Sequence, residues 1–111
     1  MTSSGLTDFT YLRDFCGNDE AFIDEMKALF VQNTPNDLES IEKSIAEKDH
    51  HGAYRLVHSL KSSVNFMGIS SIKTDILTLE KCLKTETDLE KVPALFEKVN
   101  STCSQAVKEL S

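Results

Sequence analysis

The sequence predicts an all-α fold, an up-down antiparallel four-helix bundle with one or two short helices at its N-terminal end. Apolar residues recur at spacings of three and four and hardly ever alternate over a strand-length run. The polar connections between the long amphipathic segments are short, which makes consecutive helices antiparallel neighbours. The apolar share of 40% and charged share of 27%, with four glycines and two prolines, are those of a globular chain and exclude a low-complexity or fibrous one. At 111 residues the chain is expected to form one domain over 1–111, burying about two thirds of its unfolded surface.

A short helix is expected over Asp8 to Phe15, stopped by the turn chemistry of Gly17 and Asn18. Asp19 can cap the next, which runs to about Asn33 with Phe22, Ile23, Met26, Leu29 and Phe30 in one stripe. In TPND, Thr34 as cap, Pro35 at the first helical position and Asp37 in the first turn read as the start of a third helix, to about Glu47, with Leu38, Ile41 and Ile45 inside. The fourth covers about His50 to Met67 and is closed by Gly68. Ser70 or Ser71 then caps a fifth, with Ile72, Ile76, Leu79 and Leu83 inward. Polar TETDLE breaks the pattern. The last helix begins near Pro93 and carries Leu95, Phe96, Val99, Cys103, Val107 and Leu110.

Composition narrows the function classes. A formal charge of −6 argues against nucleic-acid binding, which needs a basic face to release counterions, and favours protein partners. Cys16, Cys82 and Cys103 lack paired metal spacing and fall beside apolar residues, so they are expected as reduced thiols in a reducing compartment. No apolar run reaches the length of a membrane span. The opening MTSSGLTDFTYL has neither the basic nor the apolar region of a signal peptide, and the expected location is the cytoplasm. Met1 at its head favours a free-standing chain.

A bundle is a scaffold, so function has to come from a site. On the fourth helix Ala53, Leu56, Val57, Leu60, Val64 and Met67 gather on one face, and His58 falls about 150° from its centre, toward solvent. Tyr54, Lys61, Ser62 and Asn65 stand around it at helical neighbour spacings, with Ser59 beside it and Arg55 and His51 at the rim. The same helix brings no carboxylate near, so the local surface is expected to be positive. A neutral imidazole is a fair nucleophile near pH 7, and a phosphoryl group on it would find its charge offset by Lys61 and hydrogen-bond donors in Ser59 or Ser62. Small neighbours leave room for an in-line partner.

HSLKSSVNFMG resembles the signature of the histidine-containing phosphotransfer, or HPt, family at His58, Leu60, Lys61, Ser62, Ser63 and Gly68. The order and spacing of the helices from FCGND through HSLKSS are similar too, so the likeness covers nearly the whole chain. It implies a four-helix bundle with the histidine exposed on a central helix, and a carrier that moves phosphoryl groups between receiver-domain aspartates. His58 would be the phosphoryl acceptor and donor, and Lys61 would stabilise the phosphoryl charge. The implied partners are response-regulator receiver domains and a hybrid sensor histidine kinase, and the carrier is expected to be a monomer. No cofactor or ATP site of its own is implied, and magnesium is expected on the partner receiver. Tyr54, Arg55, Ser59, Ser62 and Asn65 would form the docking surface, with apolar help from Phe9, Leu12 or Phe22 in partly buried positions. Ser62 replaces the family's usual glycine, and Asn65 stands where the family often has alanine or glycine.

Rival readings are weaker. A metal site at His50, His51 and His58 would have Arg55 and Lys61 beside it and no carboxylate at ligand spacing, so none is expected. The alternative within the same fold is a helical docking module for receiver domains whose His58 stays unmodified. Catalysis on a small molecule has no support in paired carboxylates, a nucleophile and base, or a phosphate-cradling glycine loop.

Overall fold

The computed structural model describes residues 7–111, so residues 1–6 of the stretch read for a signal peptide lie outside the described part. Every regular element there is helical, with no strand among the described residues. Helix α1 spans Thr10–Cys16, close to the expected bounds. The Asp8 carboxylate accepts the Thr10 N–H at 2.9 Å, and Gly17, at φ 67°, ends the helix in the left-handed conformation that glycine adopts freely.

Helix α2 spans Glu20–Ala46, opened as expected by Asp19, whose side chain accepts the Phe22 N–H at 3.2 Å. The expected break at Thr34 and Pro35 is absent, and the two predicted helices are one. An interior proline costs about 3 kcal/mol, because it lacks the N–H that would reach back four residues and crowds the preceding turn. Phe30, Thr34, Leu38 and Ile41 are nonetheless all buried along a single face, while Pro35 itself is exposed. Burying Phe30, Leu38 and Ile41 at about 1.5–3 kcal/mol each outweighs the proline, so the chain keeps its helix and its stripe.

Helix α3 spans His50–Phe66, with Asp49 accepting the Gly52 N–H at 3.0 Å. Gly68, at φ 66°, turns the chain out of it. Helix α4 spans Lys73–Thr85. Neither Ser70 nor Ser71 caps it as expected. Ile72 holds the cap position without a side-chain bond, and the Ser70 carbonyl accepts the Lys73 N–H at 3.2 Å instead. In TETDLE, Glu86 and Asp88 both take φ 51°, and a short 3-10 turn at Leu89–Lys91 leads into α5, Val92–Leu110, with Pro93 in its first turn.

Helix α2 packs against α3 and α5, and α4 packs against the same two, so the four longer helices surround one core, with α1 laid on α2. Ile23, Ile41, Val57, Leu60, Ile76, Leu79, Val99 and Cys103 lie at its centre. The three cysteines are free, Cys82 and Cys103 buried and Cys16 half-buried. Burial pushes the Cys103 thiol up to about 12. The segment before α1 is held against the end of α3, where the Asp8 N–H donates to the Met67 carbonyl at 3.0 Å. No helix among the described residues is long and apolar enough to cross a membrane.

Candidate functional site

Ala53, Val57, Leu60 and Val64 bury one face of α3 and thereby turn His58 outward, leaving its side chain 58% exposed. The imidazole is not alone on that face. Its Nδ1 is paired with the carboxylate of Glu80, which reaches across from α4, and the second oxygen of that carboxylate accepts from Lys61 Nζ at 2.9 Å. One carboxylate therefore fixes both side chains. A carboxylate only accepts, so Nδ1 carries the proton it donates, and the lone pair of the neutral ring is left on Nε2. The side chain facing solvent is a nucleophile with its tautomer set.

Glu80 is well suited to this task, its side chain being only 12% exposed. Burial pushes its carboxyl upward, but the hydrogen bonds from His58 and Lys61 and the charge of Lys61 outweigh burial and hold it below its ordinary value of 4.5. It remains a carboxylate at neutral pH. The expectation of a purely positive surface around His58 is thereby corrected, for a negative charge lies between the imidazole and the ammonium. Glu80 was missed because it lies 22 residues from His58, on another helix. Its only sequence signal is its place next to Leu79 on the flank of the inward stripe of α4.

Two hollows flank the histidine. The one between α3 and α4 is lined by Tyr54, His58, Lys61, Leu77, Lys81 and Lys84 among others. Tyr54, half-buried here, stacks at a tilt beside His58 with ring centroids 5.9 Å apart. On the opposite side, a groove of about 530 Å³ between α2 and α3 holds Ser59 and Ser63 at its α3 wall, facing Met26, Leu29, Asn33 and Asp37. Burial raises the Asp37 carboxyl above its ordinary range.

The predicted surface residues divide between these sides. Ser59 and Ser62 are exposed on α3, and Arg55 lines a separate hollow with Ser44 and Gly52. Asn65 lies one step further along α3, in a hollow shared with Asp8, Gly68 and Lys73. Of the apolar side chains expected to help, Phe9 and Phe22 are half-buried, but Leu12 is fully buried, because it is the residue with which α1 packs on the core. Phe15 and Leu29, by contrast, are 64% and 43% exposed. Phe15 lies 6.4 Å from the Phe22 ring and 6.0 Å, edge-on, from Phe66, so an apolar surface continues from α1 to the wall of the α2–α3 groove. His50 pairs with Glu86 at 3.2 Å, away from His58. No group of three or more His, Cys, Asp or Glu side chains that could hold a metal ion occurs among the described residues.

The family model described as the Hpt domain matches residues 25–110. No curated protein and no solved structure matches the chain.

Proposed function

We propose, from the premise that the chain belongs to the Hpt domain family and so to phosphorelay phosphotransfer, that His58 accepts a phosphoryl group from a receiver-domain aspartate and passes it to the aspartate of another receiver. Hpt domains are phosphocarrier modules and not enzymes with ATP sites. The observation that carries the assignment to His58 is its pairing with Glu80, which leaves Nε2 as the exposed nucleophile. In the accepting step the Nε2 lone pair attacks phosphorus, the N–P bond forms, and the P–O bond to the donor aspartate breaks with its electrons returning to that carboxylate. The ring gains positive character as it gives up the lone pair, and Glu80, facing the Nδ1 proton, offsets it. Donation to the next receiver runs the same steps in reverse.

Lys61 serves this centre from its place on Glu80, where its ammonium stands close enough to offset the phosphoryl charge. The partner covers His58 over Tyr54, Arg55, Ser59, Ser62 and Asn65, with Phe15, Phe22 and Leu29 supplying apolar contact area. Magnesium resides on the receiver, and the carrier needs no cofactor. A hybrid sensor kinase would supply the donor receiver. The carrier acts as a cytoplasmic monomer, one domain over 1–111, folded as an up-down four-helix bundle, the arrangement favoured by the packing of α2 and α4 against both α3 and α5.

Incubation with purified, radiolabelled phospho-receiver domains tests the assignment. Acid-labile, alkali-stable label should appear on the wild type and be absent from His58→Gln. Label that survives in His58→Gln would overturn it.

A further inference from the structure

His58 lies between two ammonium groups, and they are differently committed. Lys61, three residues beyond it on α3, already spends its ammonium on Glu80 at 2.9 Å. On the other side, one helical turn from Glu80 along α4, Lys84 lies in the same hollow as His58 and holds its Nζ over the Tyr54 ring, 5.9 Å from the centroid. The Tyr54 ring is itself 5.9 Å from the His58 ring. Tyr54 thus stands as a platform between imidazole and ammonium. Among the described residues no carboxylate forms an ion pair with Lys84, and apart from the C-terminal end of α4 its partner is the face of an aromatic ring, a weak one at an exposed site.

A phosphoryl group added to Nε2 would bring negative charge and three acceptor oxygens to this hollow. Lys61 is already engaged by Glu80, and moving it fully onto those oxygens would uncover the carboxylate that orients the ring. Lys84 has no such conflict, and a phosphate oxygen is a better partner for an ammonium than a phenol ring. Lys81 also lines the hollow, yet it lies about 100° around α4 from Glu80, whereas Lys84 lies about 40° from it and one turn on.

We propose that Lys84, parked on Tyr54 in the unphosphorylated protein, is the cation that moves onto the phosphoryl group of phosphorylated His58 and prolongs its lifetime, leaving Lys61 on Glu80. The inference rests on His58 being the phosphorylated residue.

The test loads the whole chain chemically with phosphoramidate, so that no partner protein enters. His58 Nε2 attacks phosphorus, the N–P bond forms, and ammonia leaves with the electrons of the old P–N bond and a proton. After removal of the reagent, intact mass and phosphorus NMR follow decay. Lys84→Met, which keeps the aliphatic stem, should shorten the phosphohistidine half-life by about two- to five-fold, the range of an exposed charge pair, and shift the phosphorus resonance. Lys84→Arg should restore both. Circular dichroism and the melting temperature should be unchanged in Lys84→Met. An unaltered half-life in Lys84→Met, or an equal loss in Lys81→Met, would overturn a specific role for Lys84 while leaving His58 as carrier. Failure of wild-type His58 to load would overturn the carrier reading and this inference together.

Discussion

Glu80 and His58 are joined across the α3–α4 contact, so the proton on Nδ1 and the free lone pair on Nε2 are set by a residue of a different helix. Glu80→Gln keeps size and helix propensity but loses the charge that binds both His58 and Lys61. Phosphoryl transfer is expected to slow by roughly ten- to a hundred-fold, the range seen when a reacting group loses its orientation. Stopped-flow transfer from a phosphorylated receiver measures this, and NMR of the phosphohistidine should find the Nε2 isomer in the wild type and a mixture in the variant. A wild-type rate with a single isomer would remove the role given to Glu80.

The same pair predicts an acid dependence of stability. Glu80 titrates below 4.5 in the folded protein and near 4.5 when unfolded, so the unfolded state binds the proton more readily. Its stabilising contribution is complete above about pH 4.5 and is lost as the pH falls through the lower, folded value. Urea unfolding of wild type and Glu80→Gln should therefore differ most near neutrality and converge in acid. A gap that holds constant from pH 7 to pH 3 would contradict the linkage.

Ser62 tests the direction of approach. It is exposed on α3, four residues beyond His58. Ser62→Gln should preserve helicity while weakening receiver binding and transfer, because a long side chain fills the path to Nε2. Ser62→Gly should stay active at a cost of about 0.5 kcal/mol in helix stability. Isothermal titration and transfer kinetics decide it: a fully competent Ser62→Gln would mean that receivers do not cross this face.

Gly68 has a different burden. A methyl group there would sit 1.8 Å from the Asp8 carbonyl oxygen, and its φ of 66° is disfavoured once a Cβ is present. Gly68→Ala should cost about 2–3 kcal/mol in denaturant unfolding, through strain and displacement of the residue 7–9 segment. A loss under about 0.5 kcal/mol would show that this segment detaches freely.

Much of this was legible from sequence because it depends on local rules. The outward position of His58 follows from the spacing of Ala53, Val57, Leu60 and Val64, and the cap at Asp19 follows from short-range backbone chemistry. The joining of two predicted helices through Pro35 was not legible, because a local breaker signal lost to burial along a stripe that only the tertiary fold completes. Leu12 illustrates the same limit: a residue in a seven-residue helix is buried or exposed according to what lies beneath it. Glu80 was hidden for a further reason. Its significance is created by the register between α3 and α4, which no spacing within either helix encodes.

The bond from the Asp8 N–H to the Met67 carbonyl has a practical corollary for anyone who labels or tethers this molecule. It delivers the front of the chain to the Asn65 and Gly68 end of the histidine-bearing helix, whereas the tail leaves on α5, which packs on α2 and α4. A fluorophore or fusion attached ahead of residue 7 would crowd the proposed receiver entrance and report altered affinities as if they were native. The same attachment after Ser111 would hang from the far wall and leave that entrance clear.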